Sequence, residues 1–415
     1  MTKLTVTLCR ATVLLLALMV SAFAGSQNTY YTYEGTVSDA ETGRRLPYVS
    51  IAVVGQHVSI VSNADGEFVL KTPVRPSQLL LTHVGYQTMR YKMGAEGGRL
   101  NIRMQPGTIQ LSEVVVASGD AGQILRSAIG KIPANYSSVP ELFRGFYRET
   151  TERGRRYIYV AEAVVDLYKT EYTRNVYADR VSIDKARRLI STRKTDTLGA
   201  KMVGGPTLPV YIDVAKNLDY LFNEETLQLY DLAVGVPEKI GDRPQVIIHM
   251  RPRKMLNGAL YIVKVYIDRE TLSFSRVEMD LDMTDRTRAT AVMLVSKPAG
   301  VRFKPRQLSL VVNYSLADGV SRISYVRSTS RFNCDWKRRL FHSGYTVVSE
   351  MVVTDRAAPD RVHRIRGKSS FRPHESLYDK VELFDDPQFW GHDNIIEPTE
   401  SLEHAINKLK KRLRE

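Results

Sequence analysis

Gly35 to Tyr86 reads GTVSDAETGRRLPYVSIAVVGQHVSIVSNADGEFVLKTPVRPSQLLLTHVGY. Short apolar runs alternate in it with turn residues. Tyr48-Val49-Ser50-Ile51-Ala52-Val53-Val54 is rich in β-branched side chains, and Phe68-Val69-Leu70 and Leu79-Leu80-Leu81 continue the pattern. Just beyond, Leu100, Ile102 and Met104 alternate with polar Asn101 and Arg103. Between the runs stand Thr42-Gly43, Asn63-Ala64-Asp65-Gly66 and Val84-Gly85-Tyr86. Asn and Asp bond their own backbone in turns, and glycine supplies positive φ, so these are turns with a mechanism. Strands recurring at intervals of roughly ten residues predict a small β-sandwich.

The same residues carry a resemblance. The order G-x-V-x-D-x-x-T-G-x-x-L-P-x-V-x-I from Gly35, then S-N-x-D-G-x-F from Ser62, then His83-Val84-Gly85-Tyr86, resembles the carboxypeptidase-regulatory-like domain, a transthyretin-like sandwich. In many Gram-negative bacteria that domain precedes the plug of TonB-dependent outer-membrane transporters. There it is followed by a segment similar to Leu111-Ser112-Glu113-Val114-Val115-Val116 of this chain. The resemblance spans about a fifth of the sequence and implies an accessory domain without catalysis. Asp39, Asp65 and Glu67 have the chemistry of calcium ligands, but isolated carboxylates beside glycine read as turn residues.

Met1 to Ala24 places Lys3 and Arg10 ahead of Val13-Leu14-Leu15-Leu16-Ala17-Leu18-Met19-Val20 and closes on Ala22-Phe23-Ala24. A basic start, a short apolar core and a small-x-small site predict a secretory signal cleaved after Ala24. Its apolar core is too short for a span, and no later run of eighteen apolar residues occurs, so no transmembrane segment is expected in the mature chain. Cys9 lies ahead of the apolar core, and Cys334 is the one cysteine left after cleavage. An internal disulfide is then excluded and stability must come from core burial, which favours a buried Cys334. The net charge of +14 is dispersed. Export argues against nucleic acid as a partner, and points instead to anionic headgroups or acidic glycans, or simply to a solvated face.

Composition shifts at Ala117-Ser118-Gly119-Asp120, where Asp120 is placed to cap a helix carrying Ile124, Leu125, Ala128 and Ile129 up to Pro133. From Glu141 long alternating strands take over. Tyr157, Tyr159, Ala161, Ala163, Val165 and Leu167 share one face, and Ile158, Val160, Glu162, Val164 and Asp166 the other. Leu260 to Ile267 turns through Asp268-Arg269-Glu270-Thr271 into a strand with Val277, Met279, Leu281 and Met283 opposite Arg276, Glu278, Asp280 and Asp282. One apolar and one charged face per strand predict a sheet with one side covered and one in water. A further helix is expected over Asp213 to Phe222, capped by Asp213.

The hairpin LYIVKVYIDRETLSFSRVEMDLDM, after Val246-Ile247-Ile248-His249-Met250, resembles the half-barrel of periplasmic lipoprotein carriers. That resemblance implies a cavity for a lipid or other apolar ligand, lined by Tyr261, Val277, Met279, Leu281 and Met283; the plain reading of the same stripe is core. The whole chain also looks like exported, barrel-free carboxypeptidase-regulatory-like proteins of Gram-negative bacteria, with Gly204-Gly205-Pro206 and Phe389-Trp390-Gly391 among the shared segments. The expected fold is mainly β: a signal at 1–24, a sandwich at 28–118, a linker helix at 119–140, a large antiparallel half-barrel-like sheet at 141–356, and at 357–415 an irregular tail ending in a helix. Thr399 caps that last helix, with Leu402, Ala405, Ile406, Leu409 and Leu413 on one stripe and Lys408, Lys410, Lys411, Arg412 and Arg414 at its basic end. It is expected to pack on the body or to lie on a membrane.

Catalytic signatures are missing: there is no His-Glu-x-x-His, Cys-x-x-Cys, Gly-x-Ser-x-Gly, P-loop or dinucleotide fingerprint. His363, His374, His392 and His404 gather in the tail near Asp385, Asp386 and Asp393, in no metal-ligand spacing. Glu162 and Asp166, about 13 Å apart along a strand, are too far apart to act on one bond. The expectation is a non-catalytic envelope protein, periplasmic or outer-membrane associated, without cofactor or metal, that binds an apolar ligand or an outer-membrane protein. A soluble companion of a TonB-dependent transporter is the alternative, followed by an envelope hydrolase whose site is scattered along the chain.

Overall fold

The computed structural model of the chain describes residues 30–94, 98–107, 120–193, 196, 201–202, 204–253, 260–336, 343–367, 370–373, 375, 377 and 390–414. The signal at 1–24 and the Leu111–Val116 segment lie outside these residues. About half of the chain is strand and about a sixth helix.

The first strands are β1 (Tyr31–Asp39), β2 (Ser50–Val53), β3 (Ser59–Val61), β4 (Glu67–Thr72), β5 (Gln78–Thr82), β6 (Met89–Lys92) and β7 (Leu100–Met104). They make two sheets, ordered β4-β1-β7 and β3-β2-β5-β6, that close on Val37, Ile51, Val53, Phe68, Leu70, Leu79, Leu81 and Ile102. The turn residues act as read. Asp39 Oδ1 accepts from the amides of Glu41 (2.9 Å) and Thr42 (2.7 Å), and Asn63 Oδ1 from those of Asp65 and Glu67 (both 2.9 Å). Gly66 sits at φ +73°, and a Cβ there would stand 2.7 Å from the Val37 carbonyl oxygen. Only glycine fits that turn.

The connecting helix α1 (Ala121–Gly130) starts under Asp120, whose side chain accepts from the Gly122 amide at 3.1 Å. A single turn, α2 (Ile132–Asn135), follows, with Pro133 in its first positions where no amide is needed. The body then runs through β8 (Glu141–Arg153), β9 (Arg156–Lys169), β10 (Arg180–Ile190), β11 (Lys201–Met202), β12 (Tyr230–Val234), β13 (Glu238–Ile240), β14 (Arg243–Pro252), β15 (Tyr261–Asp268), β16 (Phe274–Leu281), β17 (Leu294–Ser296), β18 (Val301–Ala317), β19 (Val320–Trp336) and β20 (Ser343–Arg356). Eleven of these form one antiparallel sheet in the order β10-β9-β8-β20-β19-β18-β16-β15-β14-β12, with β13 also on β14. Asp318 (φ +54°) and Gly319 (φ +75°) turn β18 into β19, and those 17-residue strands form the spine of the sheet.

The inner face of this sheet is covered by α1, α2, the single turns α3 (Leu208–Tyr211), α4 (Leu218–Leu221) and α5 (Glu224–Leu227), and α6 (Arg286–Met293). Asp213 is not a helix cap. The chain around it breaks into α3 and α4, and its carboxylate is fully buried 2.7 Å from Lys169 Nζ. That carboxylate also accepts from the Tyr172 and Tyr314 hydroxyls, and Asn217 stands at the N-cap position of α4.

Nor does the outer face stand open along its whole length. On β9, Ala161, Ala163, Val165 and Leu167 point into one cluster, while Val160, Glu162 and Val164 are covered from the other side. The cover consists of the sandwich, the segment from Trp390 to Pro398, and the last helix α7 (Glu400–Arg414). Its Leu402, Ile406 and Leu409 pack on Val160 and Leu189. Charged residues point into this layer because each has a partner there, which alternation alone does not reveal.

Candidate functional site

The five residues expected to line an apolar cavity do come together. Register pairs Tyr261 with Leu281, places Met279 opposite Val263, and sets Val277 opposite Val265. Val277, Met279 and Leu281 are buried in the main cluster, and Tyr261 and Met283 are partly buried against it. The hydroxyls of Tyr261 and Tyr220 lie 2.9 Å apart, tying β15 to α4. These side chains are packed against the helical cover.

Open space lies on the other side of the sheet. A cleft of about 460 Å³ separates the outer surface of β2 and β5 from the outer face of the body. Its sandwich wall carries Ser50, Ala52, Leu80, Thr82 and His83; its floor includes Gln245, Arg276, Asn313, Ser324 and Tyr325. These positions follow from strand alternation: Ile51, Val53, Leu79 and Leu81 fill the sandwich core, so Ser50, Ala52, Leu80 and Thr82 face out. Sequence reading missed the cleft, because nothing local says that the two sheets lie face to face.

Direct contacts hold the walls together. Ser59 Oγ donates to the Val353 carbonyl (2.9 Å), the Gly85 amide to that of Lys239 (3.0 Å), and the Asp242 amide to Thr88 Oγ1 (2.8 Å). Gly241 makes the last contact possible, since a Cβ there would lie 2.0 Å from Thr88 Oγ1. The Arg327 guanidinium sits 4.5 Å over the Tyr48 ring, which stacks on Tyr325. Tyr48 itself holds φ +58°, uncommon for a bulky side chain. Burial raises its phenol pKa.

The tail completes the clamp. Asn394 exchanges hydrogen bonds with the Lys71 backbone (2.7 and 2.8 Å), Asn63 Nδ2 donates to the Pro398 carbonyl (3.2 Å), and the Glu400 amide donates to Asp65 (3.0 Å). Asp65 therefore caps a helix from another module. Glu67 pairs with Arg99, and Asp39 accepts from the Tyr86 hydroxyl at 2.6 Å. That bond, with the turn amides, holds the Asp39 carboxyl down to about 2. The three motif carboxylates are thus all engaged by protein donors.

Two charged clusters lie at the heart of the body. Lys169 bonds Asp213 (2.7 Å) and Asp179 (3.4 Å), and Lys216 bonds Asp179 (2.6 Å); Tyr172 and Tyr314 donate to Asp213 at 3.0 and 2.8 Å. Burial works to lower Lys169, but the two carboxylates more than offset it and hold it above its ordinary value. On the other face Arg148 and Arg187 share Glu162, so Glu162 serves structure. Asp166 pairs with Arg144, which also holds Asp393 at 2.8 Å. Among the described residues no three His, Cys, Asp or Glu side chains are close enough to hold a metal; His374, Asp385 and Asp386 lie outside them. Cys334 is buried, and burial pushes its thiol up to about 11.

The order of turns, the glycine at Gly66 and the Asp39–Tyr86 bond mark the sandwich, and a comparison with known families agrees with them. Residues 33–116 match the CarboxypepD_reg-like domain. The carboxypeptidase-regulatory-like domain thus accounts for the sandwich and leaves the body to be judged on its own topology. No curated protein is found to match the chain. Solved structures similar to it include an outer membrane lipoprotein-sorting protein domain from Vibrio parahaemolyticus (14% identity, 59% of this chain and 95% of that one, TM-score 0.29). A LolA superfamily protein from Nitrosomonas europaea (12%, 59% and 98%, TM-score 0.19) and a DUF1329 family protein from Desulfovibrio piger (10%, 59% and 96%, TM-score 0.27) are also similar. At such scores these likenesses carry no argument about the body.

Proposed function

We propose that this chain is an exported, non-catalytic binding protein of the cell envelope. In this reading the carboxypeptidase-regulatory-like domain is an accessory wall of its binding site. The observation that supports it most is the cleft between the domain and the outer face of the large sheet, which both modules line and the tail holds in place. Its volume lies in the range of small-ligand sites. The buried acids and bases of the body neutralise one another, as expected of groups that hold a frame rather than turn over a substrate.

A second reading keeps an apolar ligand on the inner face, at Tyr261, Val277, Met279, Leu281 and Met283. It is favoured by the partial exposure of Tyr261 and Met283 at one end of that face, and by a cover that includes single-turn helices. Methionine adapts readily to ligand shape. Lipid extraction and mass spectrometry of wild type, Ala52→Trp and Met279→Trp protein separates the two. Loss of a co-purified ligand in Ala52→Trp alone supports the cleft, and loss in Met279→Trp alone supports the inner face. A ligand that survives both substitutions counts against either seat.

A further inference from the structure

The cleft carries chemistry beyond its shape. Among the described residues, one buried acceptor in its lining, Gln245 Oε1, lacks a hydrogen-bond partner. Gln245 is 2% exposed, and its amide nitrogen is used on the Arg243 carbonyl at 3.0 Å. A buried acceptor without a donor is costly; Gln245 Oε1 has almost no exposed surface, so a ligand N–H or O–H meets it once the side chain turns into the cleft.

The charge of the lining points the same way. Arg90, Arg243, Arg276, Arg322 and Arg356 line the cleft, against Asp242 and Asp268. Asp268 is occupied by Arg243 and by the amides and hydroxyl of its own turn. Arg276 is paired with Glu278. Arg322 (2.7 Å) and Arg356 (3.0 Å) share the single carboxylate of Glu141, Arg356 also touches the His57 ring, and Asp355 lies within electrostatic reach of Arg356 and His57. Arg90 stands exposed at the mouth. Between these groups lie the side chains of Ala52, Leu80 and Ile240.

Resting on the cleft reading above, we infer that the occupant is a small anionic amphiphile. It has an apolar body, one carboxylate, phosphate or sulfonate directed at the arginine rim, and an N–H or O–H that meets Gln245.

The full chain is titrated with 8-anilinonaphthalene-1-sulfonate, which has an apolar body, one anion and one N–H. A parallel titration uses N-phenyl-1-naphthylamine, which lacks only the sulfonate. Expected is one saturable site that prefers the sulfonate by roughly tenfold, as a charge-assisted contact supplies. Arg356→Gln should erase most of that preference. Gln245→Met should weaken both dyes alike, and Ala52→Trp should abolish binding of both. Thermal unfolding of each variant confirms that it is folded. Equal affinity for the two dyes, both lost in Ala52→Trp, overturns the anion while leaving the cleft. Binding indifferent to Ala52→Trp, or no binding at all, overturns both.

Discussion

At the residue scale the structure is governed by buried polar groups that must find partners. Asp213 takes one lysine and two tyrosine hydroxyls, so Asp213→Ala leaves Lys169 with only the longer Asp179 contact at 3.4 Å and takes the acceptor from both buried hydroxyls. Removing one member of a buried pair costs about 3–5 kcal/mol; denaturant unfolding of this variant should show a loss of that size. Glu397 is the opposite case. Burial, against the pull of Arg148 and Lys71, raises its carboxyl from 4.5 to about 7. The folded protein therefore holds this proton more tightly than the unfolded chain. The burial penalty is absent below pH 4.5, grows as pH rises from there towards 7, and is fully present above 7, where it amounts to about 3 kcal/mol. Glu397→Gln should raise the melting temperature at pH 8 and leave it nearly unchanged at pH 4; an equal change at both would refute the assignment. None of this was legible in the sequence, because the groups that set Glu397 and Asp213 lie far away along the chain. The turn chemistry was legible, since Asp39 and Asn63 bond amides two to four residues on.

At the element scale the tail segment acts as a strap. Trp390 packs edge-on to Phe146 (5.4 Å) beneath the Arg187 guanidinium (5.0 Å), and Asn394 grips the edge strand β4 through Lys71. Trp390→Ala removes a large buried ring and should cost about 3 kcal/mol. Because the strap spans both modules, the variant should also split one unfolding transition into two, with the sandwich and sheet melting separately. A calorimetric trace that merely shifts without splitting would mean that the direct contacts at Ser59, Gly85 and Thr88 suffice. The basic end of α7 has a parallel lesson. Its Leu402, Ile406 and Leu409 stripe was readable from helical spacing, but only the fold shows that Val160 and Leu189 cover it. The long strands were equally readable from alternation. Their covered outer face was not, because alternation shows which side chains point together and is silent on what meets them.

At the scale of the whole molecule, two β modules meet face to face and leave a cleft whose lining comes from both. The sandwich was recognisable because its motifs are local and densely spaced. The cleft was not, since it joins Ala52 and Leu80 to Gln245, Arg276, Tyr325 and Arg356, which approach only after both sheets have formed. A ligand bridging the modules stabilises them by mass action, so saturation at a hundred times its dissociation constant should add about 2.7 kcal/mol. The most direct measurement is native mass spectrometry of the protein purified gently from its native cells, run beside Ala52→Trp. A small anionic amphiphile is expected on the wild type at near unit stoichiometry and is absent from the variant. A ligand retained equally by Ala52→Trp, or a wild type that is empty and fails to take up the anionic dye, would contradict it.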